Sequence, residues 1–166
     1  MSARFAHAAQ FGLCLVAFCA GATPPSVVAA ERLAGPLAAT VEEVVDGDTL
    51  AVRVRIWLGQ ELVVLVRLRG IDAPERRGAC PAERALAEEA RLRLTRLVGA
   101  GPVMLTAIEA DKYAGRVVAD VAVAGGGSPA AELVVAGLAR PYDGGRRRPW
   151  CAAGGASLAI GANERL

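Results

Sequence analysis

The sequence predicts an α+β fold, an OB-type five-stranded β-barrel with one inserted and one C-terminal helix, and three observations predict it. Three β-rich runs come first, then one stretch with helical spacing, then two further β-rich runs. Asp-Gly, Gly-Gln and multi-glycine signals fall at the joints between them. The length of 166 residues suits one domain with a real core and is short for two.

The first strand is expected over 40–45, ending at the Asp46-Gly47 turn signal. The second alternates, with Val52, Val54 and Ile56 on one side and Arg53, Arg55 and Trp57 on the other, and Trp57 is assigned to barrel packing. Gly59-Gln60 turns the chain. The third strand, 61–70, places Leu62, Val64, Val66 and Leu68 on one face, so Arg67 and Arg69 share the other and Arg67 is available to a site. Pro81 fits the first turn of a helix in which Leu86, Ala90, Leu94 and Leu97 form the apolar side and Glu83, Arg84, Glu88 and Glu89 cover the opposite one. Gly99 to Gly101 end it. Two strands, 102–108 and 116–123, flank the Asp111 to Gly115 turn, and Ser128-Pro129 opens a short helix reaching Leu138.

The segment 1–30 reads as a signal peptide: Arg4 precedes an apolar run from Phe11 to Ala22, and Val28-Ala29-Ala30 offers small residues for cleavage. That run is too short to span a bilayer, so export to a periplasm or beyond the cell is expected, without stable membrane association. Residues 31–39, small and proline-interrupted, read as a linker, 40–151 as the folded domain and 152–166 as a flexible tail. With the leader gone, Cys80 and Cys151 are the remaining thiols of four. An oxidising compartment makes one disulfide the natural reading, worth about 4 kcal/mol on the chain-entropy model, and two free buried thiols the alternative.

The single histidine, His7, also lies in the leader. This removes imidazole-based chemistry, including serine triads, and leaves too few ligands for a zinc site. Loss of Arg4 leaves 18 of the 19 basic residues against 17 acidic ones, so attraction to nucleic acid must come from a local cluster.

Two acidic turns stand out: Asp46-Gly47-Asp48-Thr49, and Asp72-Ala73-Pro74-Glu75 with Arg67 five residues before Asp72. Either alone is a common solvated turn. Together they can meet at one rim of an antiparallel barrel, where carboxylates bind a hard cation and arginine binds phosphate. With Asp111-Lys112-Tyr113-Ala114-Gly115-Arg116 added, the set points to metal-dependent cleavage of phosphodiester bonds.

These stretches resemble the thermonuclease, or staphylococcal-nuclease-like, family. The likeness runs from Val41 to Cys151 and includes the Asp-Gly-Asp-Thr turn, the Arg and Asp-x-Pro-Glu strand exit, the Asp-Lys-Tyr turn with its arginine, and Gly137-Leu138-Ala139 at a helix end. The resemblance implies a Ca2+ ion held by Asp48, Asp72 and the backbone carbonyl of Ala73. It implies Glu75 for activating the attacking water, and Arg67 and Arg116 for the phosphate. The implied reaction is hydrolysis of DNA and RNA at the 5′ oxygen, leaving 3′-phosphate ends. Lys112, Tyr113 and Tyr142 would contact substrate, Tyr113 matching the motif directly and Tyr142 aligning only with a gap placed in Arg140-Pro141-Tyr142. Ala73 stands where familiar members carry threonine, and the 111–116 turn is one residue longer than the shortest family form, so Arg116 must reach from further away. Arg146-Arg147-Arg148 beside Trp150 reads first as a solvated loop tied down by Cys151 and second as a contact to backbone phosphates, and Arg76 and Arg77 as loop charges or phosphate contacts. The competing function is a catalytically silent OB-fold module that holds nucleic acid or peptide; the intact set of acids and arginines favours the enzyme.

Overall fold

The computed structural model describes residues 31–151, so the expectations for the leader and for the tail after Cys151 lie outside the described residues. Strand β1 (Arg32–Leu33) is followed by β2 (Leu37–Asp46), β3 (Thr49–Trp57), β4 (Gln60–Leu68) and the short β5 (Ile71–Asp72). Helix α1 (Pro81–Val98), β6 (Val103–Ala110), β7 (Arg116–Ala122), α2 (Pro129–Val135) and β8 (Arg140–Pro141) complete the order.

The barrel closes through the sequence β6-β2-β3-β4-β7, with β7 pairing back onto β6. All neighbours are antiparallel except β4 and β7, which run parallel with Arg67 opposite Val118 and Leu65 opposite Arg116. Leu50, Val52, Val66, Leu68, Val103 and Leu105 fill the interior and are essentially inaccessible. Alternation along β3 and β4 delivers these side chains inward and leaves every second position for the outer face.

Residues 31–39 are not a linker. Arg32 and Leu33 pair with Glu109 and Ile108, and Leu37, Ala38 and Ala39 pair with Leu105, Met104 and Val103. Small residues serve a different end here: a Cβ on Gly35 would fall 2.5 Å from the Leu105 carbonyl oxygen, so the corner between the two pairings needs glycine.

The far end of the β3–β4 hairpin departs from the alternation argument too. Trp57 is 70% exposed, with Ile56, Leu58 and Leu62 also in solvent, because the hairpin outruns the barrel it helps to close. Helix α1 is turned slightly from the expected face: Glu83, Ala87, Ala90, Leu94 and Val98 are buried, while Leu86 and Leu97 are partly covered at the margin. Alanine at two of these positions lets the helix lie close to the barrel bottom. It caps the Asp46-Gly47-Asp48 turn, and a Cβ on Gly47 would sit 2.7 Å from the Ala90 Cβ and 3.0 Å from that of Ala73.

Candidate active site

The tight fit around Gly47 locks the first acidic turn against the second. Asp48 and Asp72 are 5% and 4% exposed and share Arg67 as a partner. Arg67 Nη1 lies 2.6 Å from Asp48 Oδ2, and Nη2 lies 3.8 Å from Asp72 Oδ1 while donating to the Ile71 carbonyl at 3.1 Å. Thr49 Oγ1 donates to Asp48 Oδ1 at 2.8 Å, and the Ala73 amide reaches Asp48 Oδ2 at 3.5 Å. The two acidic turns and the arginine between them therefore form one cluster, and Ala73 is part of it.

One cleft of about 530 Å³ gathers Asp46, Asp48, Arg67, Glu75, Lys112, Tyr113, Arg116, Tyr142 and Arg147. Arg116 lies in it despite its longer turn, its guanidinium paired with Asp111 and 4.8 Å from the centre of the Tyr113 ring. Lys112 Nζ is 5.1 Å from the same ring. Tyr142 is held by its amide, which donates to the Gly70 carbonyl at 2.9 Å, and by its hydroxyl, which donates to the Gly145 carbonyl at 2.8 Å. Of the loop charges, Arg76 spends its guanidinium on the Val45 carbonyl, 3.2 Å away.

Negative charge in the cluster is only partly compensated. Burial raises the pKa of Asp48 first of all, and Arg67 pulls it back incompletely. Asp46 is also raised, by burial and then by the charges of Glu75 and Asp48. Asp46 Oδ1 is buried without a hydrogen-bond partner, and Asp72 Oδ1 accepts no well-aligned hydrogen bond although Arg147 Nε lies 3.0 Å away. Buried carboxylate oxygens left in this state fit a hard divalent cation, whose preferred donors are oxygens. The second cluster with metal-type donors, Cys80, Glu83 and Cys151, does not fit one, because Cys80 and Cys151 form a disulfide.

Three contributors were not expected at the site. Arg147 is not a solvated charge: besides Asp72 it bonds Glu75 Oε1. Partial burial disfavours its cation, yet the bond to Glu75 and the charges of Asp72, Glu75 and Asp48 raise its pKa on balance. Trp150 Nε1 donates to Asp72 Oδ2 at 3.3 Å. The signal for both lay in the cysteines, since Glu75 is five residues before Cys80 and Arg147 four before Cys151. A disulfide joining those cysteines must bring the two loops together. The third is Glu83, which accepts from the Glu75 amide at 3.4 Å and the Ala79 amide at 3.0 Å. Its helical spacing assigned it to the solvent face.

A family model described as "Staphylococcal nuclease homologue" matches residues 65–149, just over half of the chain. Comparison with curated proteins gives no match. The matched span holds Arg67, Asp72, Glu75, Arg116 and the loop of Arg147, on a closed five-stranded barrel with two helices. By that match and that fold, the chain belongs to the staphylococcal nuclease homologue family.

Proposed function

We propose that the protein is an exported, calcium-dependent nuclease that hydrolyses phosphodiester bonds of DNA and RNA with little sequence preference. The observation that carries this reading is the meeting of Asp48, Asp72 and Glu75 with Arg67 and Arg116 in and around one cleft, where buried carboxylate oxygens of Asp46 and Asp72 lack hydrogen bonds. Asp48, Asp72 and the Ala73 carbonyl would hold the calcium ion, which supplies positive charge opposite the phosphate oxygens. Glu75, in the same cleft as both arginines, takes the proton of the attacking water. Arg67 and Arg116 bind the phosphate oxygens on which negative charge grows, a task that planar guanidinium donors perform well. Arginine is too weak an acid to protonate the leaving oxygen, so a solvent water does so. Cleavage of the bond to the 5′ oxygen then leaves a 3′-phosphate. Lys112, Tyr113 and Tyr142, which line the cleft beside Arg116, contact the nucleotide next to the scissile bond.

Export is supported by the apolar leader sequence and by the Cys80–Cys151 disulfide, a bond that oxidising compartments maintain. The test uses purified oxidised protein incubated with plasmid DNA and with RNA, in calcium and in chelator. Cutting in calcium that is lost in chelator and lost in both Glu75→Gln and Arg67→Ala, with product ends that a phosphatase must treat before extension, supports the reading. Binding without cutting in calcium supports the silent module instead.

A further inference from the structure

The segment from Arg140 to Cys151 is braced at every turn. Arg140 stacks 3.7 Å above the Trp150 ring and donates to the Pro149 carbonyl at 3.1 Å, β8 pairs with β5, and Cys151 is bonded to Cys80. Within this brace Arg147 projects into the cleft that also holds Arg67 and Arg116. The three arginines differ in how they are held. Arg67 is 8% exposed and anchored by a backbone carbonyl as well as by Asp48, so its direction is fixed. Arg147 has a side chain 42% exposed and touches the site through carboxylates, Asp72 and Glu75. Those contacts are electrostatic and exchangeable. A divalent ion on Asp72 would take the charge that holds Arg147 there and would repel the guanidinium as well.

We propose that Arg147 is a third phosphate-binding guanidinium of this site, resting on Asp72 and Glu75 in the ion-free protein and passing to the phosphate of a bound nucleic acid when the acids take a cation. The inference rests on the nuclease reading and deepens it: the disulfide-tethered loop supplies substrate contacts that the barrel alone does not. The guanidinium needs only a side-chain rotation, because the loop stays anchored by Trp150 and Cys151.

The experiment measures binding of a labelled single-stranded DNA with phosphorothioate linkages, which slow cleavage, to the oxidised protein over a range of potassium chloride concentrations. In calcium, Arg147→Gln is expected to weaken binding and to make the slope of log K against log salt shallower by about 0.7, the value for one lost phosphate contact on a single strand. Arg147→Lys keeps the slope, which excludes a folding defect of the loop. In chelator, wild type and Arg147→Gln have equal slopes, since Arg147 is then occupied by the acids. Without DNA, calorimetry with calcium alone gives severalfold tighter binding to Arg147→Gln than to wild type, because a rival positive charge is gone. Equal slopes in calcium for wild type and Arg147→Gln overturn the assignment of Arg147 while leaving the nuclease reading intact. Unchanged or weaker calcium binding by Arg147→Gln overturns the resting contact. Failure of the wild type to bind the DNA in calcium overturns both readings together.

Discussion

Glu83 turns an otherwise irregular loop into a fixed frame for Glu75. Each of its carboxylate oxygens accepts a backbone amide, Glu75 from one and Ala79 from the other, and Gly78 lies so close that a Cβ there would come within 2.3 Å of the Glu83 side chain. Glu83→Gln replaces one acceptor by a donor facing an amide, so the loop loses a hydrogen bond and Glu75 its placement. We expect kcat to fall on the order of tenfold to a hundredfold, as small misplacements of a reacting group do, with calcium affinity unchanged. Kinetics beside calcium calorimetry checks this; equal loss of both would make Glu83 a general stabiliser of the acid cluster. At this scale the sequence disclosed the acids and Arg67, because a strand's alternation fixes which way Arg67 points. It hid Glu83 and Arg147, because a charge on a helix or in an arginine run reads as solvated until a tertiary partner is known.

Among the elements, the turn 46–49 and the disulfide carry the most consequence. Gly47 is pressed between Ala90 of α1 and Ala73, so Gly47→Ala forces helix and turn apart. A loss of about 2 kcal/mol in urea denaturation is expected from such overpacking, together with weaker calcium binding as Asp48 moves from Asp72. The Cys80–Cys151 bond spans 71 positions and ties the loop of Glu75 to that of Arg147. Replacing both cysteines by serine should cost about 4 kcal/mol on the chain-entropy model, and dithiothreitol should bring the wild type to the same urea midpoint. Strand and helix positions were legible from periodicity, whose bounds agree closely for β4, α1 and β7. The pairing of 32–33 and 37–39 with β6 was not, since short glycine- and proline-bearing segments show no period and become strands only when a neighbouring edge accepts them. Exposure of Trp57 escaped for a related reason: alternation reveals a face but not where the barrel ends.

In the molecule as a whole, closure of the barrel concentrates partly compensated negative charge at one rim while the protein stays near neutrality. The barrel was legible from its order of strands and helices taken together with the motifs at their joints, since other small barrels share the order alone; the crowding of charge at the rim depended on which turns meet, which no local signal contains. Bringing Asp46, Asp48, Asp72 and Glu75 near one another places carboxylates where burial raises Asp46 and Asp48 above their ordinary pKa values. A ligand that binds this arrangement and not the unfolded chain stabilises the fold by mass action. Calcium at a hundred times its dissociation constant should therefore add about 2.7 kcal/mol. For a domain of this size that corresponds to a rise in Tm of roughly 10 °C. Thermal unfolding followed by circular dichroism in calcium, in magnesium and in chelator checks this. Calcium should raise the midpoint and chelator should return it, whereas magnesium, which keeps its waters and demands a stricter octahedron, should raise it less. Asp48→Asn should remove the calcium-dependent rise. A rise that survives in Asp48→Asn would place the ion elsewhere and separate the acid cluster from metal binding.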